Sequence, residues 1–135
     1  MEDGTSTIAV IRKSALRHLQ SLLVQTSIPE HQNVLKSAIL KLAACPIRTH
    51  PNCSFTLNKK TIYLKIRNLL DEPYEECVLV KVLIHELVHV MQKEYGHTDA
   101  FWRINRILYP SHLGCVVPGD YSCVTKDMYS VDTGV

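Results

Sequence analysis

Residues 78–91 read VLVKVLIHELVHVM, an apolar run with two histidines and a glutamate near its end. Residues four apart share one face of an α-helix, so His85 and His89 lie one turn apart with Glu86 beside them. A metallopeptidase helix uses this arrangement to hold zinc and to activate water. The stretch therefore predicts a buried helix with a catalytic zinc site, and the alternative is a pair of hydrogen-bonded core histidines.

A third zinc ligand is expected just downstream. Gly96 can adopt the left-handed conformation that ends a helix, and the chain can then turn His97 back toward the pair. The dipole of the next helix disfavours protonation of a histidine at its start, and neutral imidazole is the form that binds zinc. We expect His97 as the third ligand, with Asp99 as the alternative, and an open fourth position for water.

The remaining roles follow from the chemistry of peptide hydrolysis. Zinc lowers the pKa of a bound water toward 7, and Glu86 is placed to take the proton as general base. A second group must stabilise the oxyanion, and Tyr109, His112 and Tyr121 are the candidates. The other histidines are interpreted as surface or capping residues; they are His18, His31 and His50.

Two helices are predicted before the zinc-site stretch. Apolar residues recur at helical spacing over residues 7–25. A second apolar stripe follows the capping-box pattern of Ser27 and Glu30 and ends at Cys45. Both stripes are typical of helices that pack on a core.

A hairpin is predicted from residues 54–57 and 61–67, joined at 58–60. Alternation in the second strand places Lys65 in solvent and three side chains in the core, namely Ile62, Leu64 and Ile66. An edge strand in such a hairpin can hold an extended peptide by adding it to the sheet, and the alternative is a purely structural hairpin.

The zinc-site helix is predicted to begin with Asp71 as cap and Pro73 in its first turn, and to run to about Tyr95. A last helix is predicted over Asp99 to Leu108 with Thr98 as cap, and no regular structure after it. The expected fold is α+β: N-terminal helices, a small sheet with a hairpin, the central helix and a short helix, in a single domain over residues 1–135.

Composition is that of an ordinary globular protein, with 46% hydrophobic and 21% charged residues. The acidic N-terminus and the lack of an apolar run of about 18 residues predict a cytoplasmic or nuclear protein, neither secreted nor membrane-bound. Five cysteines, an odd number, predict reduced thiols. Residues 1–72 carry a net charge of +5 and residues 73–135 carry −3; the basic half suits DNA or an acidic partner, or is a solvated surface.

Residues 55–108 resemble the WLM family of zinc metallopeptidases. The resemblance rests on the strand TIYLKIR (61–67), the segment HELVH (85–89) and the segment HTDAFW (97–102). It implies a minimal gluzincin-type fold, with His85, His89 and His97 as ligands of one zinc ion and Glu86 as catalyst. SprT-like proteases have the same arrangement of ligands and catalyst. The resemblance to these two groups implies hydrolysis of proteins crosslinked to DNA.

Three function classes are compatible with these residues. The first is a zinc-dependent endopeptidase acting on a protein or peptide substrate, with DNA as a candidate partner. The second is a binding module for nucleic acid or protein, in which Asp99, a cysteine or His112 closes a four-ligand structural zinc shell. The third is a zinc hydrolase for a non-peptide amide, which would differ from the first only in the shape of its cleft.

Overall fold

The structure, a computed structural model, describes residues 4–121. This part of the chain has the predicted α+β fold, with helices around a three-stranded sheet. The elements are α1 (Thr5–Gln25), α2 (Pro29–Ala44), β1 (Ile47–Thr49), β2 (Phe55–Leu57), β3 (Thr61–Leu64), α3 (Glu76–Met91) and α4 (Asp99–Leu108). Two short 3₁₀ turns follow, at Ser111–Leu113 and Gly119–Tyr121.

Helix α3 lies at the centre and packs against α1, α2, α4, β2 and β3. Its nearly continuous apolar sequence explains this position, because a helix that is hydrophobic on most sides is stable only when surrounded. The apolar side chains buried along it are Val78, Leu79, Val80, Val82, Leu83, Ile84, Leu87 and Val88. His85, Glu86 and His89 are therefore carried by the most enclosed helix of the described fold.

The sheet has the order β1-β3-β2. The predicted hairpin is confirmed, with β2 and β3 antiparallel, whereas β1 pairs in parallel with β3 and was not predicted. The second strand of the hairpin is therefore central, and β2 is the hairpin strand at an edge. The prediction that Lys65 faces solvent is wrong: its side chain is 2% exposed and lies over the rings of Tyr74 and Tyr121.

Helix α3 is shorter at both ends than predicted. It begins at Glu76, because residues 67–74 return along the strand: Arg67 forms a bridge with Pro73, and Tyr74 N–H donates to the carbonyl of Ile66. Asp71 therefore caps no helix and lies in a turn at φ +63°. The helix ends at Met91 with Gln92 as its C-cap, well before Tyr95.

The predictions for the other helix termini differ in outcome. Helix α4 has the predicted bounds, and Thr98 caps it by accepting a hydrogen bond from Phe101 N at 3.1 Å. Helix α2 has Ile28 as its N-cap with no side-chain cap, so the capping box predicted from Ser27 does not form. Pro29 at its first position supplies the helical φ angle instead.

Three of the five cysteines have free thiols, as predicted: Cys45, Cys77 and Cys115. The prediction is wrong for Cys53, which is disulfide-bonded. An odd cysteine count requires one thiol to stay unpaired within a chain, but it allows a bridge between others.

Among residues 4–121, none of the helices combines the length and hydrophobicity that crossing a lipid bilayer requires.

Candidate metal centre

Three imidazoles meet at the end of α3. The ligand atoms of His85, His89 and His97 all lie within 4.8 Å of one another, and the Nε2 atoms of His85 and His97 are 3.2 Å apart. Two nitrogens bound to one tetrahedral zinc ion, each at about 2.05 Å, are separated by roughly 3.3 Å. The spacing of His85 and His97 matches the edge of such a tetrahedron.

The predicted route of His97 to the pair is correct in outcome but differs in detail. Gly96 has φ +84°, yet it lies in a loop beyond the helix rather than at its end. Gln92, buried at the start of this loop, donates from Nε2 to the carbonyl of Gly96 at 2.7 Å and accepts from Thr98 Oγ1 at 3.0 Å. One side chain therefore holds both ends of the turn that contains His97.

Helix α4 supplies an aromatic support for the cluster. The ring of Phe101 is fully buried, and its centroid lies 4.9, 4.5 and 4.8 Å from the rings of His85, His89 and His97. The ring centroid of Trp102, next in the chain, lies 5.3 Å from that of His97. Packing against Phe101 restricts the three imidazoles to orientations that converge.

The cluster is buried on one side and open on the other. His89 is fully buried, His85 is intermediate and His97 is exposed. Burial, followed by the charges of His89 and His97, lowers the pKa of His85 to about 3. His85 is therefore neutral at physiological pH, the state in which imidazole binds a metal.

Glu86 is fully buried beside the cluster, and its carboxylate is held from the sheet. Thr56 on β2 lies 2.7 Å from Glu86 Oε1 and 3.1 Å from the carbonyl oxygen of Glu86, and its hydroxyl is the donor. Thr56 itself is fully buried. A hydrogen bond to a charged acceptor in a buried setting is strong, so Thr56 fixes the orientation of the carboxylate.

The hairpin turn also holds the end of α3. Lys59 Nζ donates to the carbonyl of His89 at 2.9 Å and to that of Glu94 at 2.7 Å. A cation at a helix C-terminus satisfies carbonyls that have no partner within the helix and complements the helix dipole. Lys59 therefore joins the sheet to the backbone of a candidate ligand.

The structure separates the three oxyanion candidates. Tyr121 is fully buried, and its hydroxyl contacts Ser54 Oγ at 2.6 Å and donates to the carbonyl of Lys65 at 2.7 Å, so it is a structural residue. Tyr109 is half-buried, and burial followed by the neighbouring Cys115 raises its pKa to about 12. His112 is exposed on the first 3₁₀ turn.

Tyr109 and His85 line one cleft of about 440 Å³. Its walls also include Lys81, Trp102, Asn105, Arg106, Pro110, Ser111, Gly114, Cys115 and Val116. The cleft opens beside the histidine cluster, and Tyr109 is the oxyanion candidate that lines it.

Asp99, His18 and His50 lie outside the histidine cluster. Asp99 is exposed at the start of α4 and does not join the histidine group. His18 Nε2 lies 2.7 Å from the carbonyl oxygen of Leu108 and connects α1 to α4. His50 Nδ1 accepts from the backbone N–H groups of residues 52 and 53 and closes a turn.

Sequence reasoning did not find Thr56, Lys59 or Gln92. Thr56 and Gln92 are polar residues inside otherwise apolar surroundings, but their burial depends on contacts distant in sequence. Lys59 lies at φ +56° in a turn, where a lysine is ordinarily read as a solvated residue. The strand pattern does not mark Thr56 either, since alternation would place it on the face opposite Phe55 and Leu57.

Comparison with known proteins gives similarity without a described function. The chain is 46% identical over 56 residues to uncharacterized protein 042R of Invertebrate iridescent virus 3, a match covering 41% of this chain and 35% of that protein. It is 39% identical over 66 residues to uncharacterized protein 136R of Invertebrate iridescent virus 6, covering 45% of this chain and 37% of that protein. The matches span little more than a third of these viral relatives. No family model and no solved structure matches the chain.

Proposed function

We propose that the protein is a zinc-dependent endopeptidase, with His85, His89 and His97 as the metal ligands and Glu86 as the general base. The observation that carries this proposal is the convergence of three imidazoles, two from one helix and one from the following loop, beside a buried glutamate. Structural zinc sites are closed by four protein ligands, whereas three ligands leave a position for water.

The donor set fits a zinc ion. Three imidazoles are ligands that zinc favours, and the exposure of His97 leaves solvent access on that side of the cluster. Asp99 and His112, proposed as closing ligands in the binding-module alternative, do not join the group of ligand atoms in the described part of the chain. This arrangement favours a catalytic over a structural ion.

The chemistry assigned to this chain is proton transfer and positioning. A bound zinc ion would supply Lewis acidity and a water whose pKa is near 7. Glu86 would take a proton from the attacking water and return it to the leaving amine. Thr56 would keep Glu86 Oε1 in place during both transfers, and Tyr109 is the proposed donor to the oxyanion.

An extended peptide is the proposed substrate. Strand β2 is at an edge of the sheet and carries Thr56, so a peptide added along this edge would pass close to Glu86. The cleft beside His85 would receive a substrate side chain. A finer proposal is that the substrates are proteins linked to DNA, in the cytoplasm or nucleus. It rests on the resemblance to WLM and SprT-like proteases.

The test compares zinc content and cleavage of casein for the wild-type chain, Glu86→Gln and His97→Ala. We expect about one zinc per wild-type chain, an unchanged zinc content but no cleavage for Glu86→Gln, and loss of both for His97→Ala. Full cleavage by Glu86→Gln would overturn the mechanism. Zinc binding without any cleavage by the wild type, on peptide substrates as well as casein, would favour the binding module.

A second arm adds single-stranded or double-stranded DNA to the cleavage assay and uses a protein crosslinked to DNA as substrate. Stimulation by DNA supports the finer proposal. A rate that is indifferent to DNA on every substrate identifies a general peptidase and leaves the zinc mechanism standing.

A further inference from the structure

The first turn of α3 and the segment after α4 bring two thiols together. Cys115 Sγ lies 2.8 Å from Cys77 Sγ, although the residues are 38 positions apart in the chain. This separation is shorter than an ordinary contact between two sulfur atoms, and a disulfide bond is about 2.05 Å long. Only a small movement of the side chains separates this pair from bonding distance.

Both thiols are accessible from solvent, but to different extents. Cys77 is exposed on the helix surface, while Cys115 is partly buried and lines the cleft beside His85. The third free thiol, Cys45, is buried and donates to the carbonyl of Lys60 at 3.1 Å. Reagents in solution can therefore reach Cys77 first, and Cys115 is the thiol placed to respond.

The segment with Cys115 contacts α3 through Lys81 as well as through Cys77. Lys81 Nζ donates to the carbonyl of Cys115 at 2.6 Å and lies 5.6 Å from the ring centroid of Tyr109. Residues 110–118 contain one short 3₁₀ turn and no strand or α-helix. A covalent bond at Cys115 would add a fixed point to a wall of the cleft.

We propose that Cys77 and Cys115 are a thiol–disulfide site that reacts with a small disulfide oxidant, and that the resulting bond fixes the cleft wall formed by residues 110–116. The Cys77 thiolate attacks the oxidant, forms a mixed disulfide and releases one thiol. The Cys115 thiolate then attacks Cys77 Sγ and releases the second thiol. Two S–H bonds are lost, one S–S bond forms, and the oxidant is reduced to two thiols that carry the two protons.

This reaction needs no metal ion and is independent of the proposed peptidase activity. Zinc binding and catalysis can fail while the bond still forms. The wild-type chain and Cys77→Ser, a substitution at an exposed position, form the matched pair for its test.

The first experiment maps disulfides in both proteins after equilibration with oxidised glutathione and blocking of free thiols. Trypsin leaves Cys115 and Cys123 in one peptide, residues 107–126, so chymotrypsin is added to cleave after Tyr121. We expect a linked pair of peptides containing Cys77 and Cys115 in the wild type only. Blocked thiols at both positions, a glutathione adduct alone at Cys77, or a bond from Cys115 to another cysteine would overturn the proposal.

The second experiment measures the consequence for the cleft wall. We expect oxidation to raise the Tm of the wild type by roughly 5–15 °C more than that of Cys77→Ser, since closing a long loop covalently stabilises the folded state. Amide hydrogen exchange over residues 110–116 should slow in the oxidised wild type alone. A linked peptide pair with unchanged exchange would contradict the assigned effect on the cleft wall.

Discussion

Helices α1 and α2 and the segment of residues 54–92, which contains β2, β3 and α3, bury different kinds of side chain. The two N-terminal helices bury only apolar groups within the described chain, such as Leu19 and Leu35. The later segment, residues 54–92, contains all of the buried polar side chains found in the described residues: Ser54, Thr56, Lys65, Glu86, His89 and Gln92. Because an apolar environment disfavours polar groups, each polar side chain buried in this segment needs specific partners, whereas the helices need only matching apolar surfaces.

The largest effect is expected at His89, the buried residue among the three proposed ligands. Structural zinc binding contributes about 10–16 kcal/mol in small domains, so the loss of one of three ligands should weaken zinc binding by about 4 kcal/mol, or roughly 1000-fold. We therefore expect His89→Ala to bind zinc about 1000-fold more weakly, measured by competition with a chelating dye. His31→Ala on α2 is the matched control and should bind as the wild type; equal loss in both would remove the contrast between the regions.

The next change tests the apolar region formed by α1 and α2. Leu35 on α2 is 1% exposed, and truncation of a buried leucine costs about 2–5 kcal/mol. Leu35→Ala should therefore lower the free energy of unfolding by about 3 kcal/mol in urea titrations. Zinc content measured at low temperature should stay at one per chain. A loss of zinc from the folded variant would show that α2 shapes the site directly.

A smaller effect is expected at Thr56. Thr56→Val keeps the shape of the side chain but removes the hydroxyl that contacts Glu86 Oε1, a hydrogen bond to a charged group worth about 1.5–3 kcal/mol. We expect kcat to fall roughly tenfold or more, with KM and zinc content unchanged.

Thr56→Ser restores the hydroxyl and separates positioning from packing. It should recover most of the lost kcat, although it removes a buried methyl group. If the serine variant is as slow as the valine variant, Thr56 acts through packing, and the hydrogen bond to Glu86 has no part in the rate.

The smallest effect is expected on the surface. Arg103 on α4 contacts Glu30 on α2 at 2.6 Å, but both side chains are about half exposed or more. Exposed ion pairs contribute about 0–1 kcal/mol because water and salt screen them. Arg103→Ala should change the Tm by a few degrees at most, measured at low and at high salt; a loss above about 2 kcal/mol would show that this pair anchors α4.

The sequence was most informative where local geometry alone decides the outcome. The one-turn spacing of His85 and His89 and the return of His97 after a glycine-containing turn were sufficient to predict that the three imidazoles meet. The cap at Thr98 was also predictable, because it depends on residues within one turn. In each case the residues that interact are close in the chain.

The predictions were wrong where contacts between residues distant in the chain determine the structure. Helix α3 ends at Met91 because Gln92 organises the next loop through its own hydrogen bonds, and no local pattern distinguishes this end from Tyr95. Lys65 is buried because rings from residues 74 and 121 cover it. Strand β1 was missed because three residues are too few to show a strand pattern, and its parallel partner β3 is distant in the chain.

X-ray absorption at the zinc edge, recorded on the full chain loaded with one equivalent of zinc, tests the central claim most directly. We predict that zinc is bound by three imidazole nitrogens and one oxygen from water, all at about 2.0–2.1 Å. In His97→Ala, the imidazole contribution should fall by one nitrogen. A sulfur ligand at about 2.3 Å, or four protein ligands with no water, would contradict the account.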